Sequence, residues 1–161
     1  LGWVLSNEEF IKNISWINNL KIRSSYGNVG NDNIGTNYGY QAVYQLGYTN
    51  AGNEPGALLQ NARPNNALTW EEAKTFDVGV EFSLFKNRIN GSVEWYNRNT
   101  DRMIFNFQFP PSSGGNINGG FSEYRNIGSM RNRGLEIDLH ADLVKTKNFT
   151  WNIGLNASTL K

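Results

Sequence analysis

TFDVGVEFSLFKNRINGSVEWYNRNTD, residues 75–101, opens with Phe76, Val78, Val80, Phe82 and Leu84 interleaved with Asp77, Gly79, Glu81 and Ser83. Successive side chains of a β-strand point to opposite faces, so this spacing builds a strand with one oily and one wet face. Lys86 and Asn87 then make a tight turn, and a second extended run starts at Arg88. The two runs are expected to pair as an antiparallel hairpin, 73–85 against 88–100.

Two further runs repeat the pattern. Leu135, Ile137, Leu139, Ala141 and Leu143 interleave with Glu136, Asp138, His140 and Asp142. Phe149, Trp151, Ile153, Leu155 and Ala157 interleave with Thr150, Asn152, Gly154 and Asn156, and residues 145–148 join the two runs by a short turn. The oily faces of such strands either pack on one another in a soluble sandwich or meet lipid in a barrel. Alternation alone favours the sandwich. The connections point the other way, since those at 86–87 and 145–148 are brief while those at 28–68 and 110–124 are long. Outer-membrane barrels have this asymmetry, with short periplasmic turns and long extracellular loops.

If 86–87 is periplasmic, strand 69–85 runs inward and residues 28–68 form one extracellular excursion. Tyr38–Tyr48 also alternates, and is then expected as a hairpin arm within that loop, a wall strand being the other reading. Aromatic placement agrees with a membrane: Phe82 and Phe85 sit beside one short turn, and Phe149 and Trp151 beside the other. Trp70, Phe76 and Trp95 lie about a bilayer thickness away along the strands, as two interfacial girdles require.

Elsewhere the chain reads as follows. Residues 1–5 look like the end of a strand. Ser6 and Glu9 are spaced as a capping box, with Leu5 and Phe10 as its hydrophobic staple, predicting a short helix from about 7 to 13. Residues 20–27 read as a strand, 28–37 and 49–67 as loop, and Arg88 onward as an unusually long strand stopped by Pro110 and Pro111. A strand follows from near Arg125 or Met130 to Val144. The fold expected is all-β, an antiparallel meander of about six strands with one short helix near the N-terminus.

Composition narrows the function classes. The chain has 161 residues and a net charge of +1, from 15 Lys and Arg against 14 Asp and Glu, which creates no field to attract nucleic acid. With no Cys and one His, a disulfide framework and a thiolate or histidine-rich metal centre are excluded, and no cofactor is expected. No stretch is apolar over the roughly 18 residues that a membrane-crossing helix needs. The mean hydropathy of −0.54 does not argue against a barrel, because barrel strands expose only alternate residues to lipid. The 17 Gly and 25 Asn suit many strands linked by turns and polar loops. The chain starts at Leu1 without an initiator Met and ends at Lys161 inside an alternating run, so we expect a single partial domain, 1–161, cut from a longer protein.

Four strings carry a resemblance: LKIRSSYGNVGND (Leu20–Asp32), LTWEEAKTFDVGVEF (Leu68–Phe82), FKNRINGSVEWYNRNTDRMI (Phe85–Ile104) and YRNIGSMRNRGLEIDL (Tyr124–Leu139). Together they resemble the TonB-linked outer-membrane receptors of the SusC/RagA type, over nearly the whole chain. The resemblance implies a parent barrel of about 22 strands with an N-terminal plug. It further implies import of glycans or peptides across the outer membrane of a Bacteroidota-type bacterium. The partners implied are TonB, acting through the plug missing here, a SusD-like surface lipoprotein that closes the mouth, and outer-membrane lipid. About six wall strands are too few to close even an eight-stranded barrel, so this piece cannot transport alone.

The main alternative is a soluble β-sandwich that binds or hydrolyses carbohydrate. Glu136, Asp138, His140 and Asp142, with Glu81 and Asp77, could suggest a carboxylate pair for glycoside hydrolysis. Polar residues lining a barrel lumen predict the same pattern, and no Ser or Cys motif accompanies His140, so no catalytic site is assigned and the chain is read as a non-enzyme. Asn31, Asp32 and Asn33 resemble a calcium loop whose other positions fall out of register, and read as a turn. The ligand-binding candidates are Tyr38, Tyr40, Tyr44 and Tyr48: tyrosines on one face of an outer loop can stack on sugar rings while their hydroxyls hydrogen-bond. Packing within the loop is the plainer explanation of the same residues.

A wall segment with bare edges and a lipid face lacking lipid invites association. The isolated 161-residue chain is therefore expected to self-associate or to require detergent. Analytical sedimentation checks this, and a stable dilute monomer in detergent-free buffer counts against a barrel origin.

Overall fold

The computed structural model describes the backbone of residues 1–49, 55–59, 63–113 and 121–161, with the side chains of 45–49, 55 and 57–59 outside that description. In chain order the strands are β1 (Gly2–Val4), β2 (Ile17–Asn31), β3 (Tyr44–Thr49), β4 (Pro55–Leu59) and β5 (Glu71–Leu84). They continue with β6 (Ile89–Asp101), β7 (Ile104–Gln108), β8 (Ser122–Asn126), β9 (Met130–Lys145) and β10 (Thr150–Leu160). Six of them form one sheet in the order β1-β2-β5-β6-β9-β10, a meander interrupted by two excursions. Each excursion makes its own two-stranded sheet, β3-β4 and β7-β8. The chain divides into two compact units: Leu1–Asn28, Lys74–Asn99 and Arg131–Lys161 in the first, Val29–Ala73 and Thr100–Met130 in the second.

In the first unit the period-two pattern becomes two chemically distinct faces. On the wet face Lys21 Nζ lies 3.5 Å from Glu81 Oε2, and Arg23 Nε lies 3.4 Å from Glu81 Oε1 in an ion contact without hydrogen-bond geometry. Arg23 also pairs with Glu94, and the Ser25 hydroxyl donates to Asp77. Gly79 makes room for this chain of charges, since a Cβ there would stand 3.2 Å from Arg23 Nε. On the oily face Phe76 and Trp95 meet edge to face at 6.1 Å. Among the described residues no hydrophobic side chain is buried, and Trp151, Ile153 and Leu155 are 54%, 53% and 57% exposed. A sandwich would cover such a face with a second sheet.

β9 and β10 pair antiparallel with Leu139 opposite Leu155, Ile137 opposite Ala157 and Ala141 opposite Ile153, so their apolar parities match. The expected alternation breaks at Leu143. A bulge there pairs Trp151 with Val144 and Asn152 with Asp142, which transfers the face that Leu143 would have shared to Val144.

Other expectations change as well. The N-terminal helix is not 7–13: a 3₁₀ turn covers Leu5–Asn7 and α1 only Glu9–Lys12, with Glu8 as an N-cap that makes no side-chain capping bond. Ser6 lies inside the 3₁₀ turn and cannot take the extended N-cap conformation; its hydroxyl donates to Asn19 Oδ1 at 3.4 Å. β2 is longer than the expected 20–27, because pairing with its neighbours extends it through residues that carry no periodicity. The long strand from Arg88 breaks at Arg102, whose φ of +56° stops the ladder, and β7 turns away to pair with β8. β4, starting at Pro55, falls in a stretch read as loop; a first strand position is one that proline tolerates.

The turn between β5 and β6 places three consecutive non-glycine residues, Phe85, Lys86 and Asn87, in the left-handed region, with φ of 53°, 58° and 63°. Such residues cost roughly 1–2 kcal/mol each and need support from their surroundings. Asn18 supplies it, its Oδ1 accepting from the backbone N–H of Lys86 at 2.7 Å and of Asn87 at 3.3 Å. Phe85 N–H donates to the Trp16 carbonyl at 2.8 Å, and the Phe85 and Trp16 rings stack at 5.8 Å.

The second unit is held by cations between rings. Arg63 lies 4.7 Å from the Phe109 centroid and 4.8 Å from that of Phe121, and Arg125 lies 5.2 Å from Phe107. Arg125 Nη2 donates to Glu123 Oε2 at 2.8 Å. That bond holds the Glu123 carboxyl below the usual carboxylate range against the opposing effect of desolvation, helped by the positive fields of Arg125 and Arg63.

Two tests follow from these contacts. Asn18→Ala is expected to lower barrel stability by about 1–3 kcal/mol, the scale of orphaning two turn amides, whereas Asn87→Gly relieves strain and costs little. Urea unfolding of the refolded full-length receptor followed by heat-modifiable mobility measures both. Because the folded pKa of Glu123 is depressed, its stabilisation is present at neutral pH and above the ordinary carboxylate value, and is lost as pH falls through the folded value. The protection of β7 and β8 amides, taken relative to the intrinsic exchange rate at each pH, is expected to fall in acid, and Glu123→Gln should remove that acid dependence.

Candidate functional site

The second unit contains an open cleft of about 440 Å³, within the size range of small-molecule sites. Three chain segments build it. The first, around residues 32–40, is irregular but internally tied: Asn33 N–H donates to Asn31 Oδ1 at 3.2 Å, and Tyr38 N–H to Thr36 Oγ1 at 3.2 Å. Gly39 is buried, and a Cβ there would displace the tip of the Ile34 side chain and press on Tyr124 and Leu68.

The second segment, 68–70, is pinned through amide side chains. Asn65 Oδ1 accepts from Ala67 N–H at 3.0 Å while its Nδ2 donates to the Tyr124 carbonyl at 2.7 Å. Asn126 brackets Thr69 from both sides, its Oδ1 accepting from Thr69 N–H at 2.8 Å and its Nδ2 donating to the Thr69 carbonyl at 2.7 Å. The third segment is the strand break at Arg102. Glu71 links it to the first, since its two oxygens accept from Ile104 N–H at 2.8 Å and Asn31 Nδ2 at 2.9 Å.

The cleft presents two exposed aromatic side chains, Tyr40 and Trp70, beside Asp32, Thr36, Asn37 and Arg102. Arg102 Nη2 donates to Glu72 Oε2 at 2.8 Å, so its charge is already offset. Asp32 is exposed and makes no hydrogen bond or ion pair among the described residues. The arrangement can hold a small polar ligand with a flat apolar face. No group of acidic, His or Cys side chains suited to a metal ion occurs among the described residues.

Of the four sequence-derived candidates, Tyr40 lines the cleft. Tyr38 is exposed in the same turn without lining it, and Tyr44 starts β3 with its side chain exposed. The side chain of Tyr48 lies outside the described residues. The expected continuous stripe from Tyr38 to Tyr48 is corrected: only Tyr44–Thr49 is a strand, while Gly39 and Tyr40 are in a turn, so the alternation does not place these rings on one face. Tyr44–Thr49 pairs with β4 and not with the six-stranded sheet, which makes it the hairpin arm of the excursion.

Trp70 and Arg102 were not legible as site residues. The sequence position of Trp70 places it in a membrane girdle; the signal against that is the adjacent pair Glu71 and Glu72, which interrupts the apolar alternation before the strand becomes regular at Phe76. The acids of the wet face belong to the first unit and the cleft to the second. Asp138 Oδ1 lies 3.2 Å from His140 Nε2, and Asp142 Oδ2 3.3 Å from Lys145 Nζ.

Residues 12–161 match the family described as TonB dependent receptor-like, beta-barrel. TonB-dependent receptor P39 of Formosa agariphila is 38% identical over 159 residues, 98% of this chain and 14% of that protein. TonB-dependent receptor SusC of Bacteroides thetaiotaomicron is 32% identical over 97% of this chain and 16% of its own length. Among solved structures, the RagAB peptide transporter superposes with a TM-score of 0.76 at 28% identity, covering 99% of this chain and 17% of the matched one. This chain therefore spans less than a fifth of the relatives it matches. A six-stranded meander with one oily and one charged face, matched over almost its whole length by barrel sequences and barrel structures, belongs to the β-barrel family of the TonB-dependent receptors.

Proposed function

We propose that the chain is a wall-and-loop segment of an outer-membrane active transporter that imports oligosaccharides or peptides. TonB supplies the energy through a plug domain, and a SusD-like surface lipoprotein covers the mouth. The observation that carries this reading is the sheet with one bare apolar face and one charge-paired face. Hydrocarbon is the solvent that suits the first, and a hydrated lumen the second. The SusC and RagAB relatives support the transporter class, and the likeness to RagAB, a peptide transporter, supports a peptide as one cargo.

In this reading 28–68 and 110–124 are extracellular loops, and Tyr38, Tyr40, Tyr44 and Tyr48 belong to the ligand-capturing excursion. The sandwich hydrolase is not favoured, because its apolar faces need a covering layer and no apolar side chain is buried among the described residues. The wet-face acids act as lumen wall, with Asp138 committed to His140 and Asp142 to Lys145.

Uptake of the receptor's nutrient by intact cells is expected to cease when TonB is deleted; uptake unchanged without TonB would sink the importer reading. In the purified full-length receptor with its lipoprotein, the double change Tyr40→Ala and Tyr44→Ala is expected to weaken ligand binding by about 1–3 kcal/mol, the scale of lost aromatic contacts. Asp138→Ala should do much less, because a solvated wall charge acts through a screened field. Calorimetric affinities compare the three proteins, with barrel folding checked by gel mobility.

A further inference from the structure

The cleft of the second unit combines features that discriminate among the cargoes of a transporter. Its two exposed rings, Tyr40 and Trp70, offer flat apolar surface, and such rings stack on the CH-rich faces of sugars as readily as on apolar side chains. Its polar lining is mostly uncharged, with a hydroxyl at Thr36 and an amide at Asn37. The two charges differ in availability. Arg102 is engaged by Glu72 at 2.8 Å, whereas Asp32 has no partner among the described residues.

A carboxylate with both oxygens unspent is an acceptor for two adjacent hydroxyls, and a charge-assisted bond of this kind is about twice as strong as a neutral one. The same carboxylate repels a uronate or sulfate, and Arg102, the one cation among the described lining residues, is already paired with Glu72. A peptide would ask for a cation to receive its terminal carboxylate, which Arg102 does not freely provide.

We propose that this cleft is a subsite for an uncharged sugar residue, with Tyr40 and Trp70 as stacking walls and Asp32 as the acceptor for a vicinal diol, and that it selects against anionic glycans. The proposal rests on the transporter reading and deepens it from a general nutrient to a neutral oligosaccharide. Tyr40 alone of the four tyrosines lines the cleft among described side chains, and the Asn65 and Asn126 bonds hold Trp70's segment in place without ligand. The subsite is therefore preformed.

The test uses the full-length receptor with its lipoprotein in detergent. The probes are neutral hexasaccharides (malto-, cello-, xylo- and manno-), oligogalacturonate and oligoalginate as anionic counterparts, and a mixed peptide library. Binding is expected to at least one neutral glycan and to neither anionic one. Trp70→Ala and Asp32→Asn should each weaken the neutral glycan about tenfold or more, the equivalent of one good polar or aromatic contact. Asp32→Asn keeps the side chain's shape, so it separates loss of charge from loss of fold, and gel mobility verifies the barrel for both variants. Binding confined to anionic glycans or peptides, binding to nothing in the panel, or neutral-glycan affinity unchanged in both folded variants overturns the proposal. TonB-dependent uptake of some other nutrient in those cases leaves the transporter reading standing; uptake independent of TonB removes that reading instead.

Discussion

Every backbone N–H and C=O of a membrane wall has to find its partner in a neighbouring strand, because hydrocarbon offers none. The meander meets this requirement with neighbour-to-neighbour pairing across β1-β2-β5-β6-β9-β10. Strand-to-strand pairing, not a buried core, is thus what the chain's sequence serves. Side chains sort by face, apolar on one and charged on the other, and among the described residues no apolar side chain is buried. The open edges at β1 and β10 are where further wall strands of a parent barrel would pair.

The wet face shows how such a wall tolerates many charges. Exposed ion pairs contribute little individually, about 0–1 kcal/mol. Linked as Lys21, Glu81, Arg23 and Glu94 across β2, β5 and β6, they leave each charge compensated by a neighbour, and Gly79 provides the gap in which Arg23 lies. Strain is concentrated at the β5-β6 turn. Three left-handed residues there depend on a side chain more than sixty positions earlier in the chain, so a local turn becomes a long-range anchor.

The second unit follows different rules. Beside its two short ladders, β3-β4 and β7-β8, its order comes from Arg63 and Arg125 against phenylalanine rings and from Asn65 and Asn126 bonding to backbone. Such directional contacts hold irregular segments in fixed positions, which is what a cleft with two exposed rings and a carboxylate unpartnered among the described residues needs.

Sequence alone carried the wall. Period two at 76–84, 135–141 and 149–157, together with short and long connections in alternation, was enough for the wall strands and the two-faced sheet, because these properties are local and repeat, while the family was legible only in the four longer strings that resemble it. What escaped the sequence was non-local. Ser6 lost its helix cap to a 3₁₀ turn, Leu143 was displaced by a bulge set by pairing with β10, and Arg102 broke an apparently continuous strand because β8 offers β7 a partner. The cleft was the least legible part. Tyr40 was visible in a stripe that the backbone does not form. The segments that carry Trp70, Asp32 and Arg102 are joined through bonds of neighbouring residues, Thr69 with Asn126 and Glu71 with both Asn31 and Ile104. Alternation encodes which face a residue takes, whereas only tertiary structure decides which distant loops converge, since that depends on contacts with no period in the chain.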